Sequence, residues 1–304
     1  MSTPTASVVI CVYTEERWDA ILRCLDGVSK QTVTPHEVFV SVDHNPEMHQ
    51  RLVREVAPLH PSVNFLDASE GPRGIGTARN TGANAATAEI VAFLDDDAAP
   101  EPGWLAALIT PFAQSDVLVA AGRVVPNWLG TYKAPWWFPP EYLWIVGSTW
   151  RGFGKDHSEV RNPIGASMAV RRSVLNELNG FDTSIVYCND ETDLCLRIRK
   201  AHPESRVLYA PESVINHEVP AARQNPRYFF KRCWTEGTVK GKTSEDHGRG
   251  TLMRELDYCI RYLTTGVLGS LVTLRLGRVV FLVGGFGTTL VGWIYSRTKR
   301  ALAK

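Results

Sequence analysis

The sequence predicts an α/β fold, a wound, mostly parallel central sheet with packed helices, followed by a C-terminal apolar helical tail. Three observations carry this. Short β-branched runs alternate with helix-spaced segments through the first hundred residues. Glycines and carboxylates gather at the ends of those runs, where ligands bind in open α/β sheets. The chain has 304 residues, 44% hydrophobic and 21% charged, which supplies a sizeable core and argues against global disorder.

Taken in order, residues 7–13 (SVVICVY) form a continuous apolar run, as expected of a strand buried on both faces. Residues 14–17 break it, and 18–29 have helical spacing through Ile21, Leu22, Leu25 and Val28. Residues 37–42 (EVFVSV) read as a second strand ending at Asp43, 48–59 as a helix, and 63–66 as a third strand. A glycine-rich turn over 71–76 (GPRGIG) leads into a small-residue helix over 77–87. Residues 89–94 (EIVAFL) are a fourth strand, and Asp95, Asp96 and Asp97 follow it directly. A helix is expected over 104–112 and strands over 117–125, 167–170 and 206–209. Further helices are expected over 173–179, stopped by Gly180, and over 190–200. Residues 126–157 are dense in Pro and Trp, which suits a functional loop or a lid packed on the core.

Lys plus Arg is 33 against 32 Asp plus Glu, a formal charge of +1 that argues against a nucleic-acid partner. The six cysteines (Cys11, Cys24, Cys188, Cys195, Cys233 and Cys259) form no CxxC pair and read as reduced thiols of a cytosolic setting. Residues 1–6 lack the basic stretch and apolar run of a secretory signal.

Five groupings carry chemistry. Asp95, Asp96 and Asp97 repel one another and are best tolerated around a cation. Mg²⁺ or Mn²⁺ suits one or two carboxylates plus diphosphate oxygens, and the alternative is a solvated acidic loop. Asp43, with the loop Val12, Tyr13, Thr14 and Glu15, can hold a nucleobase; it is equally a turn Asp. The glycine turn, with Arg73 and Arg79, opens a helix N-terminus that favours anions, although it is neither GxGxxG nor a Walker loop. Asp190, Asp193 and Arg197 share one helix face, with Glu191 pointing elsewhere. One of these carboxylates can take a proton from an attacking hydroxyl, while helix-dipole complementarity also places acids in a first turn. His217 offers a metal or diphosphate ligand, and a structural role is as plausible. Basic and aromatic residues interleave over 223–242.

As an ordered set these segments resemble the family 2 glycosyltransferases of the GT-A fold, which act on nucleotide-diphosphate sugars. SVVICVYTEER resembles the opening strand and base-binding loop, and VDHN the nucleobase-contacting Asp. GPRGIGTARNTG resembles the glycine-Arg-Asn segment, and FLDDDA the metal-binding motif. NPIGASMAVRR followed by GFD resembles the acceptor-side strand and turn, and DETDLCLRIR the catalytic acidic motif. The match runs from residue 7 to about 240.

The resemblance implies that Asp43 and Arg79 hold the nucleotide, that Asp95 faces the ribose, and that Asp97 carries the metal; by their own chemistry Arg73 and Asp96 are counted with the nucleotide site and His217 with the metal. It places Gly165, Ala166 and Ser167 on the acceptor side, where Trp137 of WWFPPE stacks on sugar or packs a lid. The family's acidic motif usually reads Glu-Asp; here Asp190-Glu191 stands in its place. Glu191 is therefore the expected base, and Asp190 the reserve. The implied reaction inverts the anomeric centre, needs Mg²⁺ or Mn²⁺, and takes a donor leaning to UDP. The acceptor is a glycan or a lipid-linked hydroxyl, or else a polyprenyl phosphate. A sugar-nucleotide pyrophosphorylase is disfavoured because CVYTEER has no glycine after the first strand. A non-catalytic glycan-binding protein is disfavoured by Asp97 and the acidic pair.

The expected division is a catalytic part over 1–242, with a nucleotide half of about 1–125 and an acceptor half of about 126–242, and a tail over 243–304. The tail holds two apolar runs, 263–274 and 279–294, each shorter than the roughly 20 residues of a spanning helix. With Arg297, Lys299, Arg300 and Lys304 following, the expectation is one or two interfacial helices on the cytoplasmic leaflet, the chain being peripheral or tail-anchored there. The alternative is a plain helical hairpin.

Overall fold

The computed structural model describes residues 4–154, 157–185, 189–243 and 258–301, so Cys188 lies outside the described residues. The chain divides into two compact units, Met1–Val125 with Gly154–His217, and Pro126–Phe153 with Glu218–Lys304.

In the first unit β1 (Ala6–Val12) is buried at every residue, because parallel neighbours flank it on both sides. These are β2 (Glu37–Val42) and β4 (Ile90–Asp95), and β3 (Val63–Asp67) pairs parallel beyond β2. A strand enclosed in this way gains from being apolar throughout, which is why its sequence does not alternate. The helices α1 (Trp18–Ser29), α2 (Pro46–Glu55) and α3 (Ile75–Ala85) lie between these strands in sequence. Helix α2 starts at Asn45, whose side chain accepts from the Met48 amide. Helix α3 is built from small residues because it presses on β1: a Cβ on Gly82 would come within 2.3 Å of Val9.

Beyond β4 the pairing changes direction. β7 (Ser167–Arg171) runs antiparallel to β4, and β6 (Val117–Trp128) antiparallel to β7. β8 (Arg206–Val219) and β5 (Ala98–Pro100), antiparallel to each other, complete the order β3-β2-β1-β4-β7-β6-β8-β5. The parallel run expected from the alternation is therefore β3-β2-β1-β4. Two elements exceed their sequence signal. β8 continues ten residues past the expected 209, through a stretch where polar Ser213, Asn216 and His217 hide the strand. The three-residue β5 is too short to announce itself. The short α4 (Trp104–Ile109) and α5 (Arg172–Glu177) and the longer α6 (Asp190–Ala201) stand where helices were expected.

The second unit is organised around aromatic rings. Phe229, on α7 (Pro226–Thr243), has the rings of Trp137, Phe138, Tyr142, Phe230 and Phe281 at centroid distances of 5.2–5.9 Å. After a π-turn at Cys259–Leu263 come α8 (Thr264–Val272) and α9 (Leu276–Ala301). Helices α7 and α9 meet through glycines: a Cβ on Gly237 would lie 2.1 Å from the Thr289 carbonyl oxygen. Glu141, fully buried, is paired with Arg151 at 3.2 Å and Arg278 at 3.6 Å.

The last helix of the tail is longer than its apolar run. The second apolar run is not confined to 279–294; α9 is one helix of 26 residues, long and apolar enough by length and composition to cross a membrane. Arg278, which interrupts the apolar pattern in the sequence, is taken into the helix because Glu141 meets its charge.

Candidate active site

The candidate site begins at the carboxyl ends of β1, β2 and β4. Val12 closes β1, and its carbonyl accepts from the Asp43 amide at 2.7 Å. Tyr13 is exposed, Thr14 caps the 3-10 turn Glu15–Arg17 by accepting from the Glu16 amide, and Glu15 reaches Arg51 at 3.3 Å. Asp43 closes β2. Its Oδ1 accepts from the Gly74 amide at 3.2 Å and lies 2.7 Å from Nδ1 of His44. Gly74, at φ 149°, holds the chain at the start of α3 so that this amide points at Asp43. Arg73, beside it, is exposed.

The carboxylates after β4 are the densest charge in the unit. Asp96 and Asp97 are buried, and Asp95 is partly so. β5 turns back at once to pair with β8, setting Ala98 opposite His217. That register brings Nε2 of His217 within 3.2 Å of Asp97 Oδ1. Asp95, Asp97 and His217 each offer one ligand atom, all within 4.8 Å of one another. One imidazole and two carboxylates suit Mn²⁺ or Mg²⁺. The fit is supported by Asp96, whose Oδ2 is buried with no hydrogen-bond partner. Burial pushes the Asp96 carboxyl up to about 7, against the lowering effect of Arg17. Burial likewise raises Asp95.

Arg79 is placed differently from a residue that reaches for solvent. It is 2% exposed, and Nη1 lies 2.5 Å from Asp190 Oδ2. Nη2 donates to the Gly165 carbonyl at 3.0 Å and lies 3.6 Å from Asp95 Oδ1. One guanidinium thus ties the end of β4, the turn before β7 and the first residue of α6. Gly165 is required there, because a Cβ would sit 2.6 Å from Nη2. Asn80 completes the tie, exchanging hydrogen bonds with both backbone groups of Phe181 at 2.8 and 2.9 Å.

Helix α6 presents its acids in different states. Asp190 is buried and spent on Arg79, and Asp193 is held by Arg197 at 2.7 Å. Glu191, next to Asp190, remains partly exposed. Burial, with the Asp190 charge adding to it, pushes its carboxyl up to about 8. A carboxylate with that affinity for a proton is suited to general-base work near neutral pH.

The acceptor-side residues separate. Ser167 Oγ accepts from Trp104 Nε1 at 2.9 Å inside the core, and Ala166, also buried, accepts from the Asp95 amide. Trp137 belongs to the second unit, where its ring stacks on Phe281 at 4.2 Å. Two residues that the sequence did not single out enter the site: Arg17, 2.6 Å from Asp96, and His44, 2.7 Å from Asp43. A lone Arg in a TEER turn carries no signal in one sequence; only its neighbours in space give it a role.

Comparison with known proteins gives the family and the fold type. Residues 7–178 match the family described as Glycosyl transferase family 2. The chain is 33% identical over 241 residues to the glucosyl-dolichyl phosphate glucuronosyltransferase of Haloferax volcanii, covering 77% of this chain and 75% of that protein. Its fold is similar to the mannosyltransferase PcManGT from Pyrobaculum calidifontis, solved with GDP-Man and Mn²⁺, at TM-score 0.65 and 18% identity over 98% of this chain and 88% of that one. It is also similar to GalNAc-T7, solved with UDP, GalNAc and Mn²⁺, at TM-score 0.58 and 18% identity over 72% of this chain and 44% of that one. The fold is of the GT-A type, and the chain belongs to the family 2 glycosyltransferases.

Proposed function

We propose that this glycosyltransferase moves a sugar, with inversion, from a nucleotide-diphosphate donor to a hydroxyl of a lipid-linked glycan. The observation that carries the reading is the Arg79 tie, which fixes the base-bearing start of α6 to the carboxylates after β4. Asp43 takes the nucleobase, with UDP the preferred donor, and Asp95 faces the ribose. Asp95, Asp97 and His217 would hold Mn²⁺ or Mg²⁺, whose charge offsets that of the departing diphosphate. Glu191 accepts the proton of the acceptor hydroxyl as its oxygen bonds to the anomeric carbon. The bond from that carbon to the diphosphate breaks on the opposite side, and its electron pair leaves with the nucleotide. Catalysis is assigned to residues 1–242, and the segment 243–304 to placement.

The acceptor class is supported by the Haloferax volcanii relative, which by its name acts on a glucosyl-dolichyl phosphate. It is supported also by α9, where Leu276, Val280, Val283, Leu290, Val291 and Ile294 are exposed along one face. Helix α7, packed along the other face, carries Lys231, Arg232, Glu236 and Lys240. Crossing the bilayer would draw these charges into hydrocarbon, so we assign α9 to the membrane surface, on the cytoplasmic side.

Isothermal titration with UDP, GDP and dTDP, each with and without Mn²⁺, tests the reading. Metal-dependent binding of one nucleotide supports it; a folded protein that binds none defeats it.

A further inference from the structure

Arg17 ends the 3-10 turn that follows β1. Its Nη1 lies 2.6 Å from Asp96 Oδ1 and 3.0 Å from Asp97 Oδ2. Both carboxylates are buried, while the Arg17 side chain keeps 21% of its surface exposed. Its guanidinium carbon stands 5.0 Å from the centre of the Tyr13 ring. The side chain is therefore directed inward from a turn at the surface.

Asp97 is also one of the three residues with ligand atoms gathered within 4.8 Å. Arg17 and a divalent ion thus draw on the same carboxylate. A guanidinium in that position opposes a doubly charged ion, because like charges a few ångströms apart in a partly buried site repel strongly. A diphosphate reverses the balance, since its negative oxygens can face both cations at once and give Arg17 a new partner.

We propose that Arg17, anchored on Asp96, makes divalent-ion binding conditional on the nucleotide diphosphate, by competing for Asp97 until the diphosphate draws it away. This rests on the donor and metal reading above. Coupling of this kind is reciprocal: the ion strengthens nucleotide binding by the factor by which the nucleotide strengthens ion binding. The ion and the donor then enter as one complex, and the acidic cluster is not filled by the ion alone.

The test is Mn²⁺ binding to the full chain by calorimetry, alone and with saturating UDP, and with GDP in parallel. In the wild type, nucleotide should tighten Mn²⁺ binding by about a hundredfold, the upper range of such couplings. Arg17→Gln should bind Mn²⁺ alone about tenfold more tightly than wild type, and its coupling factor should shrink to match. Arg17→Lys, which keeps the charge, should retain most of the coupling. If Arg17→Gln binds Mn²⁺ alone no better than wild type, the proposal fails and the metal site stands. If neither protein binds Mn²⁺ under any condition, the proposal and the metal reading fall together. A purely structural Arg17 would lower the melting temperature of Arg17→Gln and leave the coupling factor unchanged, which also overturns the proposal.

Discussion

Arg79 on α3 and Asp190 at the head of α6 stand 111 residues apart in sequence and 2.5 Å apart in space, both buried. Removing the cation strands a buried carboxylate, so Arg79→Met should cost about 3–5 kcal/mol of stability. Adding Asp190→Asn should recover part of that loss, since the uncompensated charge then goes. Urea unfolding of the two variants checks both statements.

The raised carboxyls give stability and activity opposite dependences on pH. Glu191 is pushed from 4.5 to about 8, and Asp96 from 3.8 to about 7. Between the ordinary and the shifted values the folded chain binds more protons than the unfolded one. This contribution to stability is fully present below about pH 4, is lost progressively as pH rises from there, and is gone above about pH 8. A base must be deprotonated, so kcat/KM should rise through about pH 8. Glu191→Gln should flatten the stability profile and reduce turnover by 10²-fold or more, a typical contribution of a general base. A Glu191→Gln enzyme with wild-type turnover moves the role to another carboxylate.

Metal removal should be reversible. Chelation with EDTA should abolish turnover, and Mn²⁺ should restore it. His217→Ala and Asp97→Asn should each weaken Mn²⁺ binding by at least about tenfold, the lower end of what even outer-sphere partners contribute. Both are read by calorimetry in the presence of nucleotide.

At the second unit, Val283→Glu with Val291→Glu places two charges on the exposed face of α9. The pair should move the protein from the membrane fraction to the soluble one. Stability should change by no more than about 0.5 kcal/mol per site, as for ordinary surface substitutions. Retention of the doubly charged variant on vesicles would place the membrane contact elsewhere.

β1, β2 and β4 were legible because burial on both faces leaves its mark on nearly every residue; β3, none of whose residues is buried, was legible only as a short apolar run. Asp95, Asp96 and Asp97 stood out because three adjacent acids need a physical explanation. What the sequence concealed is relational. His217 reaches Asp97 only through the pairing of β5 with β8, and Arg17 reaches Asp96 across 79 residues. Arg79 reads as a ligand-facing cation from its glycine-rich surroundings; that it lies under the surface, between two acids, depends on where β7 and α6 fall. In α9 the misleading residue was Arg278, whose partner Glu141 lies 137 positions earlier in the chain.

The first unit is interrupted in sequence: residues 126–153 depart into the second before the chain returns at 154. The stretch matched to the family ends at 178, before α6 and before His217. A fragment cut at that limit would keep Asp97 and lose His217, whose Nε2 lies 3.2 Å from it. Arg79 would be left without Asp190, and β5 without the strand it pairs with. The cluster around Asp97 is accordingly complete only where β8 closes, beyond where family likeness stops. On a ribosome the same boundary holds, so the Asp95, Asp97 and His217 cluster can close only once β8 has emerged, long after the aspartate triplet itself.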